Sequence, residues 1–101
     1  LASDLALAKI SSRDAKDQKA WGVVSTDETH YQILAGTVAN NTVTQTRTLD
    51  EGITFADQFS VWFEIGSGGV LNDYLIKLGA MNGQKVGLSV SKNGVVQSQS
   101  L

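Results

Sequence analysis

The first 18 residues are the stretch that most limits how this chain can fold, because they alone read as a long helix and everything after them reads as strand. No Gly or Pro interrupts the chain before Gly22. Leu1, Leu5, Ala8, Ser12 and Ala15 recur at alternating steps of four and three, which places them on one side of a helix. Ala2, Ala6, Leu7 and Ile10 form a second, broader apolar arc, and Asp4, Lys9, Arg13, Asp14, Lys16 and Asp17 fill the gaps. Two apolar sides call for two packing partners. One is expected to be the sheet that follows, the other to lie outside the domain. The helical pattern begins at Leu1 with no capping residue ahead of it, so the expectation is a helix that continues upstream.

From residue 19 onward the pattern changes to a period of two. Strands are expected over residues 19–25, 30–36, 43–49, 53–55, 59–65, 74–79, 84–91 and 95–98, about seven or eight in all. Polar turns separate them, with Asn82-Gly83 and Asn93-Gly94 as the strongest hairpin signals. The Thr-rich third strand has high strand propensity and little bulk, which suits an edge. Val61, Phe63 and Ile65 share a face and are placed against the helix; Trp62 points the other way. The expected architecture is therefore α+β, an N-terminal helix packed on antiparallel sheet, with residues 1–18 helical and residues 19–101 forming a β-region of one domain.

Composition narrows the function. With 101 residues, 42% of them hydrophobic, the chain suits one small core. Eight Lys and Arg against ten Asp and Glu give a formal charge of −2, with no cationic cluster to hold nucleic acid. Cysteine is absent, which removes disulfides, thiolate metal sites and thiol nucleophiles. No apolar run reaches the roughly 20 residues that span a bilayer.

Catalytic patterns are equally thin. The one imidazole, His30, stands beside Asp27 and Glu28, and no serine sits in a nucleophile-elbow pattern. The Asp27, Glu28 and His30 trio could touch a metal, but a metal site needs three or four convergent ligands and nothing else in the sequence points at it, so a polar turn is the simpler reading. Gly66-Ser67-Gly68-Gly69 leads into a strand and not a helix, so it reads as a flexible loop and not a phosphate cradle. No catalytic residue, metal or cofactor is expected. Trp62 remains as a possible contact for a ligand or a partner, since a Trp on the far face of a sheet either stacks on something or covers apolar surface.

Four segments carry a family resemblance. Leu1-Ala2-Ser3-Asp4-Leu5-Ala6-Leu7-Ala8-Lys9 looks like the L-x-x-D-L-x-x-A-[RK] segment in the lower half of a pilin helix. Ala20-Trp21-Gly22-Val23-Val24 looks like the first strand of that fold and Tyr31-Gln32-Ile33-Leu34-Ala35-Gly36 like the second. Residues 85–96, ending in Gly94-Val95-Val96, look like its closing hairpin. In order and spacing the chain resembles the type IV pilin and pseudopilin superfamily, most specifically the H-type minor pseudopilins of type II secretion.

That resemblance implies a structural subunit that works by filament assembly. It further implies an upstream apolar half-helix, cut by a prepilin peptidase, that anchors the subunit in the inner membrane and later forms the core of a periplasmic or extracellular filament. Ala2, Ala6 and Ile10 would then face helices of other pilin subunits, while Leu1, Leu5, Ala8 and Ser12 pack on the sheet. Ser12 departs from the Ala common at its position and should slightly weaken that packing. Some minor pilins take up DNA through a basic tail; the tail here has no cation after Lys92, so nucleic acid is disfavoured. The other reading kept open by the sequence is an adhesive or carbohydrate-binding module using Trp62.

Overall fold

The structure is a computed structural model and describes residues 1–14, 19–37, 40–81 and 83–100. It corrects the α+β expectation. The described chain is mainly β, with eight strands in two four-stranded antiparallel sheets and one helix of 12 residues, α1 (Ala2–Arg13). At 1.5 Å per residue such a helix is about 18 Å long, enough to plug a core but not to form a layer of its own. It ends at Arg13: Asp14 leaves helical geometry, with φ −84° and ψ 4°, and the Ser12 carbonyl accepts the Gly66 N–H at 2.8 Å. Residues 15–18, including the expected contact residue Ala15, lie outside the described residues, as does the side chain of Ala2.

The strands are β1 (Ala20–Ser25), β2 (His30–Gly36), β3 (Asn41–Thr48), β4 (Ile53–Phe55), β5 (Ser60–Phe63), β6 (Tyr74–Ala80), β7 (Lys85–Val90) and β8 (Val96–Ser100). Sheet order is β3-β2-β1-β5 in the first sheet and β4-β6-β7-β8 in the second. Each sheet is thus a three-stranded meander completed by one strand from the middle of the chain. The middle pair is divided, with β4 given to the second sheet and β5 to the first.

Local chemistry explains the turns. The Asp27 carboxylate accepts the backbone N–H groups of Thr29 and His30 at 2.8 Å each, closing the β1–β2 connection. Gly83 and Gly94, at φ +84° and +81°, take the left-handed conformation that the two later hairpins need. On β3, Thr44 is an extra residue between the pairs Leu34–Val43 and Ile33–Gln45, and its hydroxyl donates to the Ile33 carbonyl at 2.9 Å. This bulge bends an edge strand whose residues are all exposed.

One core joins the helix and both sheets. Leu5 and Ala8 of α1 meet Trp21, Val23, Tyr31, Ile33, Val61 and Phe63 of the first sheet and Phe55, Ile76, Leu88 and Val90 of the second. Burying Leu5 alone is worth about 1.5–3 kcal/mol. Tyr31 packs edge-on against Phe55, and Phe55 against Phe59, with ring centroids 6.1 and 4.9 Å apart, so aromatic contacts cross between the sheets.

Two side-chain placements differ from expectation. Ile65 does not join Val61 and Phe63 in the core; it is 49% exposed. The alternation stops at Phe63 because the Glu64 N–H turns to the Gly69 carbonyl and the Gly68 N–H returns to the Glu64 carbonyl. The segment expected as a flexible glycine loop is thereby a bonded turn. Alternation along the strand at 84–91 puts Val86, Leu88 and Val90 on one face, yet Val86 is 39% exposed, whereas Leu88 and Val90 are buried.

Candidate functional site

The outer side of α1 is the surface on which function can be built, and its aim is set by ties at both ends of the helix. At the first turn, Asp4 accepts the Tyr31 phenol at 2.5 Å, and Arg47 of β3 approaches the same carboxylate oxygen at 3.7 Å. Burial, followed by the bond to Asp4, holds the phenol of Tyr31 well above its ordinary pKa. At the last turn, the Ser12 hydroxyl accepts the Trp21 backbone N–H at 2.6 Å and donates to the Trp21 carbonyl at 3.4 Å. The sequence has Ser12 slightly weakening this packing; in the structure its hydroxyl ties the end of α1 to Trp21, a residue that β1 also pairs with Ala35 and Phe63.

With those ties in place the helix divides cleanly. Leu5, Ala8 and Ser12 are buried against the sheets, and Leu1 packs at the edge of the core. Leu7, itself 49% exposed, and the buried Ser11 border a shallow hollow with Trp21, Ile33 and the β3 edge. Ala6 and Ile10 turn to the opposite flank, so Leu7 does not share their surface as the apolar arc in the sequence suggests. Ile10 is 45% exposed.

Beside Ala6 and Ile10 runs a groove of about 310 Å³, closed on its far side by Gly94, Val95 and Val96 of the β7–β8 hairpin and bordered by Lys9 and Arg13. Val95 is exposed and Val96 partly buried, so floor and walls are apolar and the rim is cationic. The hairpin can stand this close because Gly94 in its turn carries no side chain. A Cβ built on Gly94 would lie 3.1 Å from the Lys9 side chain and would overlap the Gly68 carbonyl oxygen, and one on Gly68 would lie 3.1 Å from the Lys9 carbonyl. The hairpin is legible from Asn93-Gly94, but its position against α1 has no local signal. Val95 and Val96 are therefore the members of this surface that sequence reasoning misses.

The remaining sequence candidates sit elsewhere. Asp27, Glu28 and Asp57 line an open hollow of about 390 Å³ with Phe55 at its base, beyond the β1–β2 turn. Asp27 is occupied there by Thr29 and by His30, whose Nδ1 lies 2.8 Å from its Oδ1. The Thr29 N–H and the His30 ring together hold the Asp27 carboxyl down at about 2. Among the described residues no group of three His, Cys, Asp or Glu side chains converges as metal ligands, and no helix is long and apolar enough to cross a membrane. Trp62 stands on the face of the first sheet that turns away from α1, paired in register with Gly22.

Comparison of the chain with protein-family models, with curated proteins and with solved structures finds no match.

Proposed function

We propose that this chain is a structural subunit, of the minor pilin or pseudopilin kind, that assembles into a cell-envelope filament through the outer side of α1. The observation that carries the reading is the division of the helix. Its inner residues are fully committed to the core, while Ala6 and Ile10 present apolar surface beside the Val95–Val96 wall. Apolar surface held rigidly and left uncovered by its own domain is the usual mark of a protein contact. The reading rests on this face and on the segment resemblances, not on fold class, since the domain is mainly β. The partners are other pilin or pseudopilin subunits. The native chain then carries an apolar segment of about 20 residues ahead of α1, inserted in the inner membrane before assembly.

The test compares one helix with itself. Ile10→Asp should leave the melting temperature of the domain almost unchanged, as exposed substitutions do, within about 0.5 kcal/mol. In the native cells it should abolish recovery of the subunit in sheared filaments. Leu5→Asp should unfold the domain by burying a charge. Because the chain has no cysteine, a single Cys placed at Ile10 is a unique attachment point, and a thiol-linked photo-crosslinker on it should capture a neighbouring filament subunit in the envelope fraction. Equal loss of melting temperature in the two Asp variants, or normal filaments from Ile10→Asp, would contradict the proposal.

A further inference from the structure

On the opposite side of the molecule from the helix, Trp62 is held in an unusual way. It belongs to β5 and pairs directly with Gly22 of β1. A Cβ built on Gly22 would lie 2.5 Å from Cδ2 and 2.8 Å from Cε2 and Cε3 of the indole, the atoms at and beside its ring junction. The ring therefore lies flat on the backbone of the neighbouring strand, in space that any other residue at position 22 would fill. One π-face is spent on the strand, and the residue remains partly exposed. A Trp that merely covered core would be buried, as Trp21 is at 8%.

The register sets what surrounds this shelf. Trp62, Gly22, Leu34 and Val43 form one cross-strand row, and Ser60, Val24, Gln32 and Thr46 form the next on the same face. Two residues of strand separate the rows, about 7 Å. A flat aromatic face is thus bordered at one ring's distance by hydroxyl and amide side chains.

We infer that the outer face of Trp62 is a stacking platform for the pyranose ring of a neutral saccharide. The negative face of the π-system attracts the polarised C–H groups on the flat side of a sugar ring. Ser60, Gln32 and Thr46 supply donors and acceptors for its hydroxyls. Charge separates this ligand from the other ring that stacks on Trp, the nucleobase. Neither row contains Lys or Arg, and the nearest cation of β3, Arg47, is turned to the helix side by Asp4. A nucleotide would bring phosphates to two rows that hold no cation among the described residues. The site is independent of the α1 groove, so either proposal can fail without the other.

A single aromatic shelf binds weakly, with Kd expected in the range of about 0.1–1 mM. The test titrates the ¹⁵N-labelled chain with cellohexaose, chitohexaose, xylohexaose and maltohexaose. In the wild-type protein the Trp62 indole N–H resonance should shift and saturate with at least one of them, while that of Trp21 stays in place. Trp62→Ala should lower the affinity tenfold or more by calorimetry, and Trp62→Phe should lose less. Gly22→Ala, which keeps the indole but lifts it from the strand, should also weaken binding, whereas Ile10→Asp should bind normally. An unmoved Trp62 resonance at 5 mM of all four sugars, or equal affinity in Trp62→Ala, overturns the inference. The wild-type resonance needs no variant to fold.

Discussion

Replacing Ser12 by Ala gives the sharpest test of how α1 is attached. Taken as sequence, the change looks favourable: Ala is the better helix former by about 0.5 kcal/mol, and it is the residue the resemblance favours there. The structure reverses the sign. Ser12 is fully buried, and its hydroxyl is the 2.6 Å acceptor of the Trp21 backbone N–H. Taking an acceptor from a buried donor costs about 1–3 kcal/mol, which exceeds the propensity gain. The net loss is about 0.5–2.5 kcal/mol, and at about 4–8 °C per kcal/mol for a domain of this size the middle of that range lowers Tm by about 6–12 °C. Thermal unfolding followed by circular dichroism, with urea melts at 25 °C, measures both quantities. Ser3→Ala, an exposed serine on the same helix, is the control and should gain a few tenths of a kcal/mol. If Ser12→Ala melts at or above the wild-type temperature, the hydroxyl tie carries no net stability and the attachment is apolar packing alone.

The remaining predictions use contrasts of the same kind. Gly83 and Gly94 share nearly the same positive φ, but a Cβ on Gly83 meets nothing within 4 Å while one on Gly94 overlaps a backbone oxygen. Both Ala variants should lose the roughly 1–2 kcal/mol of left-handed backbone strain, and Gly94→Ala should lose clearly more in urea melts; equal losses would mean the hairpin does not sit against the Gly68 backbone. For Tyr31, a phenol whose folded pKa is raised, the stability it contributes is whole below the unfolded value near 10 and falls as pH climbs beyond it. Absorbance at 295 nm should therefore show one of the two tyrosines refusing to ionise in step with a free phenol, and Asp4→Asn should bring its titration down. Two phenols titrating together near pH 10 in the folded protein would dispose of that bond.

The strands are legible in the sequence because each is short, alternates, and ends at a glycine, asparagine or polar cluster. Tyr31, Ile33 and Ala35 of β2 are buried together, as their spacing implies. The class was not legible, because the helical pattern continues into charged residues past Arg13, and a three-turn helix cannot balance eight strands. Sheet membership was not legible either. The strands β4 and β5 are both short, apolar and separated only by residues 56–59, and nothing local says that they join different sheets. At the candidate surfaces the pattern is the same. Periodicity separates Leu5 and Ala8 from Ala6 and Ile10, and alternation turns Trp62 away from Phe63, but the partners that complete each surface come from distant sequence. Val95 reaches Ile10, and Gly22 reaches Trp62, only through tertiary register.

The division of the central strands has a consequence for how the molecule holds together. Two meanders, β1-β2-β3 and β6-β7-β8, are each built from neighbours in sequence and can form early, since their loops close cheaply. Neither is a finished half. The chain must cross to the second sheet for β4, return to the first for β5, and cross again for β6, so residues 53–63 act as a lacing between two plates. Tightening it brings Phe55 and Phe59 into line with Tyr31 and closes both sheets over Leu5 in one event. A cut at residues 56–59 would release both edges together, and the domain should come apart as one piece, with no half surviving the other.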